Sequence, residues 1–187
     1  GLGDVYKRQA FESTGPDGTA WAVKARNPGS KADLQAVKAQ RYVYVSAGQS
    51  TPAFCGPGQL DAGRAVLIVE GEMNAAACVL MLTAAGHGDA WAVQGVASAV
   101  ALPHVTHLSA RARVYVWADP DAEGEKARVR WGEVLAAQGC QVFQIAPSGS
   151  GHPSPFAVTL ADGSDLPGAD ACDALAPEPV SYTHLTL

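Results

Sequence analysis

Residues 65–72 read AVLIVEGE, and this stretch decides the fold. Five apolar residues, 65–69, run without interruption, which is typical of a parallel strand buried on both faces. The acidic tripeptide at 70–72 ends the run, and residues 73–85 then favour a helix that stops at a glycine. The stretch therefore predicts a strand–turn–helix unit that carries two carboxylates at its turn.

The same alternation of strand and helix continues toward the carboxyl end of the chain. We predict strands at 65–69, 90–93, 114–118 and 141–146, with helices at 73–85, 97–108 and 122–138, the second of them irregular around Pro103. Such alternation predicts an α/β fold in which a four-stranded, mostly parallel sheet is flanked by helices.

A partial α+β segment is predicted before this sheet, at residues 10–63. Its predicted elements are strands at 20–25 and 41–46, a helix at 31–40 and a Pro- and Gly-rich connector at 51–63. After the last strand of the sheet we predict a loop, with a hairpin at 156–165 and a short helix at 170–175.

Three acidic motifs follow predicted strands or the loop after them. They are EGE at 70–72, DPDAEGE at 119–125 and DACD at 170–173. Because ligands bind at the carboxyl ends of parallel strands, we expect the three motifs to converge on one edge of the sheet.

The spacing within these motifs suits a hard cation and a phosphate. Mg²⁺ prefers oxygen ligands and is held by one or two carboxylates plus substrate phosphates, and Asp119 and Asp121 can both approach one ion. Gly71 and Gly124 let the backbone turn sharply and come close to a phosphate. The simpler interpretation is that Glu70 is an exposed acid at a strand end and that Asp121 caps a helix.

The motifs resemble those of a known family. VLIVEGEMNA at 66–75 resembles the first motif of TOPRIM domains in DnaG-type and phage primases. VWADPD at 116–121, with Gly124, resembles the DxDxxG motif of that family, although the run at 119–125 is closer to type IA topoisomerases. DACDAL at 170–175 resembles the third acidic motif of phage primase-helicases. The resemblance implies a TOPRIM-type, Rossmann-like domain over residues 65–175.

The resemblance also implies roles for single residues. Glu70, Asp119 and Asp121 would be catalytic, with Glu70 as general acid/base or as an aid to metal binding. Mg²⁺, or Mn²⁺, would be held by Glu70, Asp119, Asp121 and Asp170. Three further acids would orient these ligands without binding the metal themselves: Glu72, Glu123 and Asp173. The implied reaction is attack by a 3′-hydroxyl on the α-phosphate of a nucleoside triphosphate.

The implied partners are a single-stranded DNA template, nucleoside triphosphates and a replicative helicase domain or protein. The candidate nucleic-acid contacts are Lys24, Arg26, Arg64 and Lys126. The net charge of −5 does not favour a broad nucleic-acid surface. Two alternatives stay open: another TOPRIM enzyme, either a type IA topoisomerase or an overcoming-lysogenisation-type nuclease, and a non-catalytic RecR-like DNA-binding module.

The two ends of the chain look like a sequencing-library adapter. Residues 4–9 can be encoded by GATGTGTATAAGAGACAG, and the reverse complement, read from its third base, encodes residues 180–184. We therefore expect adapter-derived segments at 1–9 and 180–187, a partial N-terminal primase subdomain with its linker at 10–63 and the TOPRIM domain at 64–179.

Cysteine usage and hydropathy narrow the cellular context. The four cysteines form no CxxC pair, which argues against a zinc site and against a disulfide framework and favours a cytoplasmic protein. No apolar run approaches the roughly 20 residues of a membrane helix, so we expect no membrane partner.

Overall fold

The structure, a computed structural model, describes residues 9–14, 20–27, 30–40, 42–44, 53–55, 63–119, 121–145, 159–160 and 180–181. The strands are β1 (Gln9–Thr14), β2 (Ala20–Arg26), β3 (Tyr42–Tyr44), β4 (Ala53–Cys55), β5 (Ala65–Glu70), β6 (Trp91–Val96), β7 (Arg113–Trp117), β8 (Gln141–Gln144), β9 (Thr159–Leu160) and β10 (Val180–Ser181). The helices are α1 (Lys31–Ala36), α2 (Glu72–Ala84) and α3 (Ala122–Ala137).

Within the described residues, eight strands form one sheet in the order β3-β2-β1-β4-β6-β5-β7-β8. The four strands β6, β5, β7 and β8 pair in parallel. The remaining pairs of the sheet are antiparallel, and β9 and β10 form a separate antiparallel pair. The predicted α/β fold, with a four-stranded parallel sheet flanked by helices, is confirmed.

Strand β5 lies inside the parallel half of the sheet and is buried on both faces. Val66 and Ile68 pack on the side of α3, beside Trp131, whereas Leu67 and Val69 pack on the side of α2. Burying each such aliphatic side chain stabilises the fold by about 1.5–3 kcal/mol. This two-sided burial explains why residues 65–69 are apolar without interruption and why β5 is fixed in its register.

The irregular helix predicted at 97–108 is wrong, because these residues form turns and extended backbone instead. Pro103 cannot donate a backbone hydrogen bond to a helix. The side chain of Gln94, which is fully buried in β6, accepts from the His104 amide at 2.7 Å and donates to the His104 carbonyl at 3.1 Å. This buried amide replaces the hydrogen bonds that a helical turn would have made.

Two further strands differ from the prediction. The connector predicted at 51–63 contains β4, which pairs antiparallel with β6 and so joins the N-terminal strands to the parallel half. Strand β1, which was not predicted, pairs with β2 over its whole length. The predicted helix at 170–175 lies outside the described residues, as does the predicted hairpin at 156–165 except for residues 159–160.

No helix in the described part of the chain combines the length and the apolar content needed to cross a bilayer.

Candidate functional site

Strands β5 and β7 bring two of the acidic motifs to the same edge of the sheet. They are parallel neighbours with Val69 opposite Trp117, so the residues that follow each strand emerge side by side. Glu70 is the last residue of β5, and Asp119 follows two residues after the end of β7. The negative charge of Asp121 is near enough to Glu70 to raise the pKa of Glu70. The structure therefore places Glu70 close to the aspartate motif, as predicted from the strand-end rule.

Glu70 is a half-buried carboxylate with one of its two oxygens unsatisfied. Its Oε1 accepts a hydrogen bond from the Ala99 amide at 3.0 Å. Its Oε2 is buried and has no hydrogen-bond partner of ordinary geometry in the described part of the chain. Burial raises the pKa of Glu70 above its ordinary value, Asp121 adds to that effect, and the amides of Ala99 and Asp119 oppose it. A buried carboxylate oxygen that accepts no hydrogen bond of ordinary geometry is suited to receive a proton or a cation.

Asp121 begins helix α3 as its N-cap. Its Oδ1 accepts from the amides of Glu123 at 3.0 Å and Gly124 at 2.8 Å, which satisfies two of the free amides of the first turn. The capping interpretation of Asp121 is therefore correct for Oδ1. These two bonds also fix the orientation of the Asp121 carboxylate at the start of α3.

Gly124 allows the backbone of Asp119 to lie against the first turn of α3. A Cβ at position 124 would come within 2.0 Å of the Asp119 carbonyl oxygen. Only glycine fits this close approach, which is a packing requirement and not a requirement for a positive φ. The glycine in the DPDAEGE run thus permits the backbone of Asp119 to pack directly against α3.

A shallow concavity of about 160 Å³ opens beside these aspartates. Asp119 and Asp121 line it, together with Glu125 and Arg128 from α3. Arg128 lowers the pKa of the exposed Glu125 carboxyl by hydrogen bonding to it. The concavity thus offers two aspartates beside an arginine whose charge is shared with Glu125.

Glu72 lies beside Glu70 in sequence but has a different environment. Its carboxylate is buried and pairs with the ammonium of Lys24 in β2, at 2.9 Å. Lys24 also lies over the Tyr42 ring, 4.7 Å from its centroid. Lys24 therefore joins the N-terminal strands to the start of α2, and its ammonium is not on the open surface.

The other predicted residues are dispersed. Glu123 is exposed and pairs with Lys126 at 2.6 Å. Arg26 is half-buried in β2, and Arg64 precedes β5 at the edge of the sheet opposite Glu70. Asp170 and Asp173 lie outside the described residues.

The turn between β5 and α2 depends on two glycines. Gly71 has a φ of 84°, which glycine adopts easily, and its amide donates to the Val96 carbonyl at 2.6 Å. A Cβ at Gly95 would lie 2.8 Å from the Gly71 carbonyl oxygen. Sequence reasoning missed Gly95, because the strand predicted at 90–93 stops before it, whereas β6 runs on to Val96.

Arg130 and Trp131 of α3 were also missed as residues that support the site. Arg130 donates through Nη2 to the Ala99 carbonyl and, at 3.4 Å, to the Ala101 carbonyl, which also accepts from Trp131 Nε1 at 2.8 Å. The amide of Ala99 is the donor to Glu70. Helix α3 thus holds the turn that presents this amide. No local pattern indicated this link, because the partners are about thirty residues apart.

The acidic edge fits a divalent cation in part. Among the described residues, no three His, Cys, Asp or Glu side chains are grouped closely enough to form a metal site by themselves. Glu70, Asp119 and Asp121 thus do not form a complete three-ligand site. Mg²⁺, however, is commonly held by one or two carboxylates plus water and substrate phosphates. The aspartate pair and the unsatisfied Oε2 of Glu70 fit that smaller requirement.

Comparison with known proteins finds similar folds only among solved structures. No protein-family model matches the chain, and no curated protein matches it. A chain of the bacteriophage T7 lagging-strand DNA polymerase complex with primase domains, bound to an RNA/DNA hybrid and dTTP, is 17% identical with a TM-score of 0.51, and the match covers 72% of this chain. The Aquifex aeolicus primase, with its zinc-binding and RNA polymerase domains, is 18% identical with a TM-score of 0.52 and 80% coverage. The primase fragment of the T7 primase-helicase is 17% identical with a TM-score of 0.50 and 72% coverage.

At these identities the similarity shows the fold alone, and this chain has a primase-type fold. The matched region covers 64%, 35% and 52% of those three chains, respectively.

Proposed function

We propose that this chain carries the Mg²⁺-dependent nucleotidyltransferase site of a DNA primase, which makes RNA primers on single-stranded DNA. The observation that carries the proposal is the juxtaposition of Glu70, with its buried and unsatisfied Oε2, and the Asp119–Asp121 motif at one sheet edge. The primase-type fold supports it, because the motifs that resemble TOPRIM motifs lie at strand ends within that fold.

Each carboxylate has a role in the proposal. Asp119 and Asp121 would hold the cation, and Asp170 would complete the acidic cluster. Glu70, whose pKa is raised by burial, would take or return a proton near the reacting phosphate. A divalent cation held there would lower the pKa of the attacking 3′-hydroxyl and would neutralise the negative charge that builds on the phosphoryl oxygens.

The proposal also assigns the parts of the chain. Residues 64–179 would be the TOPRIM domain, and residues 10–63 would be the end of an N-terminal primase subdomain. The continuous sheet through β4 and the buried Lys24–Glu72 pair support a fixed arrangement of these two parts. Nucleoside triphosphates and a single-stranded DNA template would be the substrates, and a replicative helicase the partner.

Asp121 offers a test that separates chemistry from folding. In Asp121→Asn the side chain keeps an oxygen that can cap α3, since Asn and Asp are similar N-caps, but it loses the charge. We expect this variant to fold like the wild type, to bind Mn²⁺ more weakly in a spin-resonance titration and to make no primers from labelled nucleoside triphosphates on single-stranded DNA. Asp121→Ala should show the same losses together with a loss of helix stability.

Undiminished primer synthesis by Asp121→Asn would refute the proposed role. Relaxation of supercoiled DNA would favour a topoisomerase instead, and metal-dependent cleavage of linear DNA would favour a nuclease. DNA binding that is unaffected by divalent cations, without any reaction, would favour a RecR-like module.

A further inference from the structure

A second concavity, of about 180 Å³, lies at the amino ends of β5 and β7. Arg64 and Val66 line one side, and residues 107–113 line the other. Strand β5 has six residues and spans roughly 17 Å, so this concavity lies at the opposite edge of the sheet from Glu70. It is therefore separate from the acidic site.

The concavity gathers positive charge in an acidic protein. Arg64, Arg111 and Arg113 all line it, and none of the described residues that line it is acidic. Their guanidinium groups make no hydrogen bond or ion pair in the described part of the chain. Other cations are neutralised locally: Lys24, Lys126 and Arg128 pair with Glu72, Glu123 and Glu125. Three unpaired arginines in one concavity therefore form an electropositive site in a chain whose net charge is −5.

The loop that carries Arg111 is held in a defined shape. Arg111 has a φ of 72°, an unfavourable conformation for a residue with a long side chain. Its amide donates to the Gly139 carbonyl at 2.8 Å, and the carbonyl of Ala112 accepts from Gln141 at 2.8 Å. These bonds to the start of β8 fix the backbone on both sides of the strained residue, so the arginine is presented by a rigid loop.

The chemistry of the site points to a phosphate group. Guanidinium groups bind phosphate oxygens through paired hydrogen bonds and are preferred for nucleic-acid backbones. A volume of about 180 Å³ is below the roughly 300–1,000 Å³ of sites that enclose a whole small ligand. The concavity therefore has room for a backbone phosphate while the sugar and base remain outside.

We propose that Arg64, Arg111 and Arg113 bind the phosphodiester backbone of a single-stranded nucleic acid. This inference deepens the proposed function and rests on it for the choice of nucleic acid as the anion. A strand that reaches from this concavity to the acidic edge would cross roughly 17 Å, about five nucleotides at a stacked rise of 3.4 Å each. The arginines would thus hold the strand at a distance from the reacting end.

The test measures binding of a fluorescent oligothymidylate by anisotropy, in EDTA, over a series of salt concentrations. The variants are Arg64→Gln, Arg113→Gln, Arg111→Asn and the triple variant, with asparagine chosen at 111 because it tolerates a positive φ. The matched control is Gln35→Glu on the exposed part of α1, which shifts the net charge by the same amount as one arginine variant but lies outside the concavity. Thermal unfolding checks that each variant folds.

We expect each arginine variant to reduce the slope of log K against log salt by about 0.7, as for one lost phosphate contact on a single strand. Each single arginine variant should bind more weakly than Gln35→Glu, which has the same net charge, and the triple variant should bind at least roughly tenfold more weakly than the wild type at moderate salt. Unchanged salt slopes, or a loss of binding affinity no greater than that of the control variant, would overturn the inference. Equally strong competition by charge-matched poly-glutamate would also overturn the inference, because the site would then bind carboxylates as well as it binds phosphates.

Because EDTA removes divalent cations, failure here is distinguishable from failure of the proposed function. A protein that binds the strand through these arginines but makes no primers would lose the proposed function and keep this site. A protein that makes primers, but whose arginine variants bind the oligonucleotide as tightly as the wild type, would keep the proposed function and lose this site.

Discussion

The ammonium of Lys24 lies 2.9 Å from a carboxylate oxygen of Glu72, and both side chains are more than nine-tenths buried. The two residues are 48 positions apart, one in strand β2 and the other in the first turn of α2. The pair therefore connects the antiparallel N-terminal strands to the turn that follows Glu70. The arrangement of that turn depends on a residue far from it in sequence.

Removing one member of this pair should destabilise the protein more than removing both. Lys24→Met leaves the Glu72 carboxylate buried without a partner, which typically costs about 3–5 kcal/mol. The double variant Lys24→Met/Glu72→Met leaves no buried charge, and we expect it to recover most of that loss. Urea denaturation measures the free energies of unfolding. Additive losses in the double variant would contradict the buried pairing.

Glu70 should make the stability depend on pH in a defined direction. Burial, and secondarily Asp121, raise the pKa of Glu70 above 4.5 in the folded state, so the folded protein holds this proton more tightly than the unfolded chain. The resulting stability is complete below about pH 4.5 and is lost as the pH rises through the folded pKa.

Glu70→Gln cannot lose a proton, so its free energy of unfolding should rise relative to the wild type as the pH rises through that window. Urea denaturation at several pH values, in EDTA, measures the difference. Glu133→Gln, which removes an exposed carboxylate on helix α3 away from Glu70, controls for the general loss of a negative charge. A difference between Glu70→Gln and wild type that shrinks with rising pH would reverse the sign and refute the burial argument.

The parts of the fold that are encoded locally were predictable from the sequence. The apolar run at 65–69 and the long helix after Asp121 each carry their signal within one element, and the strand-end rule then brings Glu70 and the aspartates together. Strand β4 was missed because it has only three residues among prolines and glycines, and its partner β6 is far along the chain. Pairing of this kind has no local signal.

The environment of the site residues was less predictable than their position. Glu72 follows Glu70 by two residues, yet its carboxylate turns to Lys24, because β2 places an ammonium there. Residues 97–108 were predicted as an irregular helix around Pro103, but the hydrogen bonds of the buried Gln94 side chain to His104 fix them as a loop. In both cases a tertiary contact overrides the local preference.

Gly124 and Gly132, both in α3, should respond oppositely to replacement by alanine. At Gly124 the new Cβ would lie 2.0 Å from the Asp119 carbonyl oxygen, so the backbone must move. Overpacking of this kind costs about 1–3 kcal/mol. At Gly132 the Cβ meets only the end of the flexible Gln144 side chain, at 3.2 Å, and alanine should gain up to about 1 kcal/mol of helix propensity.

Chemical denaturation of Gly124→Ala and Gly132→Ala gives the comparison directly. We also expect Gly124→Ala to weaken Mn²⁺ binding, since the shift displaces Asp119. Equal stability of the two variants would show that the contact between Asp119 and the first turn of α3 is not tight.

Arg130 should control the protection of the amide that hydrogen-bonds to Glu70. Its guanidinium donates to the carbonyls of Ala99 and Ala101, and the Ala99 amide donates to Glu70 at 3.0 Å. Arg130→Met removes these donors and leaves the carbonyl of Ala99 without its guanidinium partner. We expect this to lower the free energy of unfolding by about 1–3 kcal/mol. Trp131→Phe is the matched control, because it removes a single hydrogen bond to Ala101 and leaves Ala99 held.

Amide hydrogen exchange followed by NMR distinguishes local from global effects of these changes. In Arg130→Met we expect the Ala99 amide to exchange faster than the amides of β5, which report only global opening. In Trp131→Phe any increase should appear equally at Ala99 and in β5, since the control acts through the core and leaves the bonds from Arg130 to Ala99 and Ala101 in place. Unchanged exchange at Ala99 relative to β5 in Arg130→Met would mean that Glu70 holds this turn without help from α3.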